Sequence, residues 1–288
     1  MSRTYKAIGI NLKAMPLGEA DRVLTILTKE HGLVRAVAMG ARKQNSKLSG
    51  RSGLFVVNDL LLATGRSLDK VTQAETLESY PGLSRNLKKL TAAQYLAELT
   101  LQQALSDQPQ EDLFYLLNEH LGRIDRSIDA EILPRLTHAV FQLLVVAGIA
   151  PQVHQCCITQ TMLEPDLSDP NWKAGFSCTV GGVVTPEALE RILQEQPAAR
   201  TAPNSQSAAA TAQKTLTSNA AKLNVLIDAE QLSVLQQLAQ EELPDLERIS
   251  ASVWLALEHL LREYAQYHFD RIIRSASMID SCFASIAP

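Results

Sequence analysis

The sequence has few cysteines, few aromatics and no long apolar run, and the stretch from residue 31 to residue 58 contains no carboxylate. Its most apolar segment, Phe141 to Ala150, is interrupted by Gln142 and Gly148 and is too short to span a bilayer. The first residues, Met-Ser-Arg-Thr-Tyr-Lys, lack the apolar core of a signal peptide, so a cytoplasmic location is expected. Four cysteines in 288 residues make no disulfide framework; in a reducing compartment they stay thiols or bind metal. There is no glycine-rich phosphate loop, no His-Glu-x2-His and no nucleophile motif, and the six histidines are scattered. The expectation is a protein that is not an enzyme.

The net charge of −4 conceals an asymmetry. Residues 1–89 hold 15 Lys and Arg against 7 Asp and Glu, a net +8. Residues 90–288 carry −12. A basic N-terminal segment suits a polyanion, and an acidic remainder suits protein contacts or solubility.

Within the basic segment, Thr4 to Lys13 alternates with Ile8, Ile10 and Leu12 on one face, which predicts a half-buried strand. Met15 to Asp21 reads as a turn, Arg22 to Thr28 as a second strand and Leu33 to Met39 as a third, closing a hairpin at Gly32. A polar loop from Gly40 carries Arg42, Lys43 and Lys47. Leu54 to Ala63 and Leu68 to Leu77 complete five strands. Five short strands with glycine-bearing turns fit a small closed barrel, OB-fold or SH3-like by strand count alone. Tyr5, Phe55 and Tyr80 are the aromatics of this segment, and core packing is their expected role.

Tyr80-Pro81-Gly82 marks a boundary, after which leucines recur at helical spacing. Helices are expected from about residue 83 to 101, 111 to 121 and 130 to 147, then 186–196, 229–242 and 250–280. Residues 152–188, with Cys156-Cys157, Trp172, Phe176, Cys178 and Gly181-Gly182, read as a small irregular unit with a short hairpin. Residues 197–221, rich in Ala, Ser, Thr and Gln, read as a mobile linker whose Ala-rich part has helical character.

Three blocks carry a family signature: Ile8-Gly-Ile-Asn-Leu-Lys13, Gly18-Glu-Ala-Asp-Arg-Val-Leu-Thr-Ile-Leu-Thr-Lys-Glu-His-Gly-Leu33 and Met39-Gly-Ala-Arg-Lys-Gln-Asn-Ser-Lys-Leu48. In order and spacing they resemble the N-terminal signature of the bacterial recombination mediator RecO. Tyr95-Leu-Ala-Glu-Leu99, Phe141 to Gly148, Gly181-Gly182 and Leu261-Arg-Glu-Tyr264 extend the likeness. The resemblance implies an α+β multidomain chain. An N-terminal five-stranded OB-fold barrel (1–80) would bind DNA. A mainly α-helical domain (81–151 and 189–288) would follow, with a small degenerate zinc-ribbon-like insertion (152–188). It implies binding of single- and double-stranded DNA (ssDNA and dsDNA), strand annealing, and work with RecR and single-strand-binding protein, so that RecA is loaded indirectly. Nucleoid association in the cytoplasm follows from such a role.

Candidate DNA contacts are Arg42, Lys43 and Lys47 on the loop, Arg35 and Lys6 on strands, and Lys88 and Lys89 at the first helix. Cations of this kind would neutralise phosphates without sequence preference. Arg22 is expected to pair with Glu19 or Asp21 instead. Relatives in this family often place two Cys-x2-Cys pairs on the ribbon, a tetrahedral zinc set. Here, counting from Cys157 reaches Gln160, and the later pair falls at Thr185 and Ala188. His154 and Cys178 are spare donors. No metal or other cofactor is expected, with Trp172 and Phe176 packing in its place. Two rivals stand beside this reading: a protein–protein adaptor whose basic barrel meets an acidic partner, and a metalloenzyme that would need bound zinc.

Overall fold

The computed structural model describes residues 4–188, 225–240, 243 and 248–283. The chain divides into two compact units, residues 1–147 with 271–288, and residues 148–270. The expected linker at 197–221 and most of the expected helix at 186–196 lie outside the described residues.

The first unit begins with a closed barrel. Its strands are β1 (Thr4–Leu17), β2 (Asp21–Thr28), β3 (Gly32–Ala38), β4 (Val56–Ala63) and β5 (Asp69–Ser79), joined in the order β1-β2-β3-β5-β4. β5 inserts between β3 and β4, pairing parallel to β3 at Ala36–Asp69 and Val37–Lys70. This Greek-key closure selects the OB-like barrel over the SH3-like alternative. Inward residues from every strand fill it, among them Leu24, Ile26, Val34, Leu60, Leu62 and Val71. Burying each large aliphatic side chain contributes about 1.5–3 kcal/mol.

β1 runs four residues further than its alternation predicts, through Met15-Pro16-Leu17, because Pro16 pairs with Arg22 at the hairpin end. The register slips between Asn11 and Lys13: Asn11 faces Ile26 while Lys13 faces Thr25. Leu12 is therefore the extra residue of a bulge, and side-chain parity reverses there. β4 starts at Val56 rather than Leu54. Phe55 adopts a left-handed conformation at φ 59° and its N–H donates to the Asn11 carbonyl at 2.9 Å. Phe55 and Tyr80 are buried, and Tyr5 is half-buried.

A short helix, α1 (Leu48–Arg51), lies in the β3–β4 connection. The side-chain amides of buried Asn11 and Asn58 both donate to the Arg51 carbonyl, at 2.8 and 3.0 Å, and Asn11 also reaches the Gly53 carbonyl. These bonds fix the turn on the barrel.

Pro81 opens α2 (Pro81–Arg85), where its missing N–H costs nothing. Asn86 then caps α3 (Leu87–Gln103) by accepting from the N–H groups of Lys88 and Lys89. α4 (Glu111–Arg126) and α5 (Asp129–Val146) complete a bundle. The α3–α4 connection is stitched to the β2–β3 turn by three backbone bonds: Leu33 N–H to Leu105, Asp107 N–H to His31, and Gln110 N–H to Lys29. Gly32, at φ +64°, sits at this seam, and a Cβ there would lie 2.1 Å from the Leu105 carbonyl oxygen. A later segment returns to this unit as the helix Ala276–Phe283. Glu98 of α3 caps its approach, accepting from the N–H groups of Arg274 and Ser275 at 2.9 Å each and from the Ser275 hydroxyl at 2.7 Å. Partial burial opposes the Glu98 charge, but these bonds outweigh it and hold the carboxyl below its usual range.

In the second unit, β6 (Lys173–Ser177), β7 (Gly182–Val184) and β8 (Val225–Asp228) form a sheet in the order β7-β6-β8. β8 was not expected from the sequence. Asp228 and Gln231 form a reciprocal capping box opening α6 (Ala229–Gln237). α7 (Ala251–Phe269) is capped by Ser250 and ends at Asp270 in a left-handed conformation, φ 51°. The single helix expected over 250–280 is thus broken, and α8 (Ala276–Phe283) is separate. Tyr264 of α7 packs edge-on to Phe176 of β6 with ring centroids 5.7 Å apart.

Candidate nucleic-acid interface

The meander β1-β2-β3 presents an ordered outer surface. Lys13 faces Thr25, and Thr25 faces Arg35, so two exposed cations lie in one cross-strand row. With neighbouring strands about 4.8 Å apart, the two Cα atoms stand roughly 10 Å from each other. The next row is apolar: Met15, Val23 and Val37, continued by exposed Lys70 on β5. Met15 and Met39 keep 44% and 50% of their surface exposed. A surface of this composition offers phosphates a charged edge and bases an apolar strip.

Of the loop cations, Arg42 and Lys43 lie toward the β1–β2 turn. The Arg42 guanidinium donates to the Gly18 carbonyl at 2.9 Å, and its N–H donates to Ala20. The Gly40 N–H donates to Asp21 at 2.6 Å, tying the loop to the same turn. Arg42, Lys43 and Lys47 are all exposed. Arg22 does not pair with Glu19 or Asp21. Its guanidinium donates instead to the Ser52 hydroxyl at 2.9 Å, so it braces the segment after α1.

The seven sequence-predicted cations are not gathered on one surface. Arg35 lies on the meander, and Arg42 and Lys43 lie at its end. Lys6 and Lys47 border a groove against β4 and β5. Lys88 and Lys89 belong to the helical bundle: the Lys88 ammonium sits 3.4 Å from Asp129 and over the Phe283 ring, and Lys89 donates to the Asp125 carbonyl at 2.7 Å. Their charges are engaged within the bundle. Lys13 and Lys70 on the meander side and Arg51 on the groove are not among the cations singled out from the sequence. The run of mixed polarity across Leu12 hid the bulge that turns Lys13 outward.

The ribbon-like unit can be tested for a metal by its donors. The Cys156 sulfur accepts the N–H groups of Thr159 and Thr185 at 3.4 and 3.3 Å. The chain then turns through Gln160 at φ 60°. Burial works against the thiolate, yet these bonds lower the Cys156 thiol to about 7. It is thus the Cys156 sulfur, not that of Cys157, that accepts the N–H groups of Thr159 and of the facing turn. Cys157 points elsewhere, its N–H bonded to Val183 and its thiol raised by burial. Thr185 and Ala188 occupy the facing turn, where Ala188 packs with Cys156 and Val184. One sulfur, two hydroxyls and a methyl do not fit tetrahedral zinc. Among the described residues, no group of three potential metal ligands includes Cys156. Cys178 is buried and raised to about 11, chiefly by desolvation.

Among the described residues, no helix is long and apolar enough to cross a membrane. Comparison with known proteins matches residues 1–80 to the family model Recombination protein O N terminal and residues 84–200 to Recombination protein O C terminal. A protein of Nostoc sp. named DNA repair protein RecO is 50% identical, aligned over 99% of this chain and 98% of its own length. A protein of that name from Cyanothece sp. is 52% identical over 100% of this chain and 99% of its own. One from Gloeobacter violaceus is 44% identical over 99% and 96%. The barrel covers the first matched segment and the bundle opens the second, and with full-length relatives at this identity the chain belongs to the RecO family.

Proposed function

We propose that this chain is a non-enzymatic DNA-binding mediator of recombinational repair. Its barrel would hold DNA on the outer face of β1-β2-β3, through Lys13, Arg35 and Lys70, with Arg42 and Lys43 extending the track. The observation that carries this reading is the outward row Lys13–Thr25–Arg35 beside an apolar strip. OB barrels bind oligonucleotides on this part of the fold. Cations neutralise phosphates by releasing counterions, which gives affinity without sequence preference. Exposed apolar side chains meet unstacked bases, which only single strands offer freely. Annealing follows physically when the mutual repulsion of two strands is neutralised on one protein. The RecO-named relatives are DNA repair proteins, and the family resemblance supplies the proposed partners: RecR, single-strand-binding protein and, indirectly, RecA.

The test is fluorescence anisotropy with a labelled single strand at two salt concentrations. Lys13→Ala, Arg35→Ala and Lys70→Ala combined should lower affinity at least about tenfold at moderate salt and flatten the log–log salt slope by about 2. Wild-type protein that fails to bind at low salt would favour the acidic-partner adaptor.

A further inference from the structure

The bulge at Leu12 lets both Lys6 and Lys13 face outward on β1 while serving different faces. Lys13 joins β2 and β3. Lys6 pairs with Leu61 of β4, which pairs in turn with Gln73 of β5. Along an extended strand the two lysines stand roughly 20 Å apart. Lys6 opens onto a groove of ≈ 550 Å³ whose rim also carries Lys47 and Arg51 and whose strand side carries Asp59, Gln73 and Glu75.

Three features distinguish this groove from a solvated recess. First, α1 is immobilised: two buried asparagines hold the Arg51 carbonyl, so Arg51 is presented from a fixed backbone. Second, the side chains of Lys6, Lys47 and Arg51 have no ion-pair or hydrogen-bond partner among the described residues, although two carboxylates share the groove. Third, Asp59 and Glu75 are direct cross-strand partners, and like charges so placed repel. The site thus holds uncommitted positive charge and an unrelieved pair of acceptors.

A flexible polyanion that also carries hydrogen-bond donors satisfies both. Single-stranded DNA can turn phosphates to Lys6, Lys47 and Arg51 and base amino groups to Asp59, Gln73 and Glu75. In a duplex one hydrogen of each amino group is held in the base pair and the other is fixed on a groove edge, so only an unpaired strand can turn them freely. The two carboxylates leave the groove with a small net positive charge, so it grips phosphate less strongly than the meander and releases it more readily.

We propose that this groove is a second single-strand seat, distinct from the β1-β2-β3 track, so that one chain holds two strands at once. The proposal rests on the DNA-binding reading above. Full-length protein would be mixed with two non-complementary oligonucleotides, one carrying a donor dye and one an acceptor, and energy transfer between them would report bridging. Lys6→Ala, Lys47→Ala and Arg51→Ala combined should abolish bridging and slow annealing of complementary strands by about tenfold, while single-strand anisotropy falls far less than in the meander variant. Asp59→Asn with Glu75→Gln should strengthen bridging. Undiminished transfer in the triple variant would overturn the proposal, as it would if two copies of the chain each held one strand or if the groove served an acidic protein segment. Equal loss of single-strand affinity in the groove and meander variants would also overturn it by merging the two tracks. Failure of the wild type to bind any single strand would instead remove the DNA-binding reading itself.

Discussion

Asn11 donates through its side-chain amide to the carbonyl oxygen of Arg51 at 2.8 Å, joining the bulged strand to a helical turn 40 positions away. Both partners of this bond are sheltered, and the same amide also reaches Gly53. Asn11→Ala leaves the Gly53 carbonyl without that donor and the Arg51 carbonyl with Asn58 alone. The expected cost is about 1–3 kcal/mol, measurable as a lower urea midpoint at unchanged m-value. Strand bridging should weaken as well, because the turn carrying Arg51 loosens. An unaltered midpoint would show that the turn holds without Asn11.

Gly32→Ala should be more damaging than its size implies. The new methyl meets the Leu105 carbonyl at 2.1 Å, and φ +64° is unfavourable for alanine. A loss on the order of 2–3 kcal/mol is expected. Hydrogen exchange should localise it to the seam formed by Lys29–Leu33 and Leu105–Gln110. A uniform loss across the barrel would contradict this placement.

The His120 imidazole is buried between α4 and α5, its ring 5.3 Å from that of His138. Burial, then His138 and Arg123, lower it from 6.5 to about 3, so it is neutral in the folded chain. The unfolded chain binds its proton near the ordinary value. Stability should therefore be full above about pH 6.5 and decline as pH falls from there toward 3, by roughly 1 kcal/mol per unit. His120→Phe should flatten the pH dependence of melting between pH 7 and 5. A slope identical to wild type would remove His120 as its source.

Zinc should be absent from the purified chain at stoichiometric level, and a chelator should leave its melting temperature unchanged. Thr159→Cys, Thr185→Cys and Ala188→Cys together surround Cys156 with three further thiols. This variant should bind cobalt with the charge-transfer absorption of a thiolate site. Stoichiometric zinc in the wild type, lost on Cys156→Ser, would reverse that expectation.

Much of this architecture was legible in the sequence because side-chain periodicity reports burial. The alternation from Ile8 to Leu12 and the leucine spacing after Pro81 each announced their element. What escaped detection depended on contacts between distant residues. Nothing local marks Leu48–Arg51 as a helix, since two asparagines from other strands hold it. The end of α7 at Asp270 carries neither glycine nor proline. Charge type located the basic segment, but the face each cation occupies depends on register, which a single bulged residue inverts. The count from Cys157 had no local sign that the sulfur accepting N–H groups from Thr159 and Thr185 is that of Cys156.

The unit that contains the barrel is built from both ends of the chain, residues 1–147 and 271–288. The barrel strands, Thr4 to Ser79, are contiguous in the chain and can pair before the later residues are made. The contacts of α3 with α8 come later, because Glu98 accepts from Arg274 and Ser275, 176 and 177 positions further along. Between those events the whole of residues 148–270 is made. In that interval the barrel can form while α3 still lacks its α8 partner, the stage at which chaperone capture would be most effective.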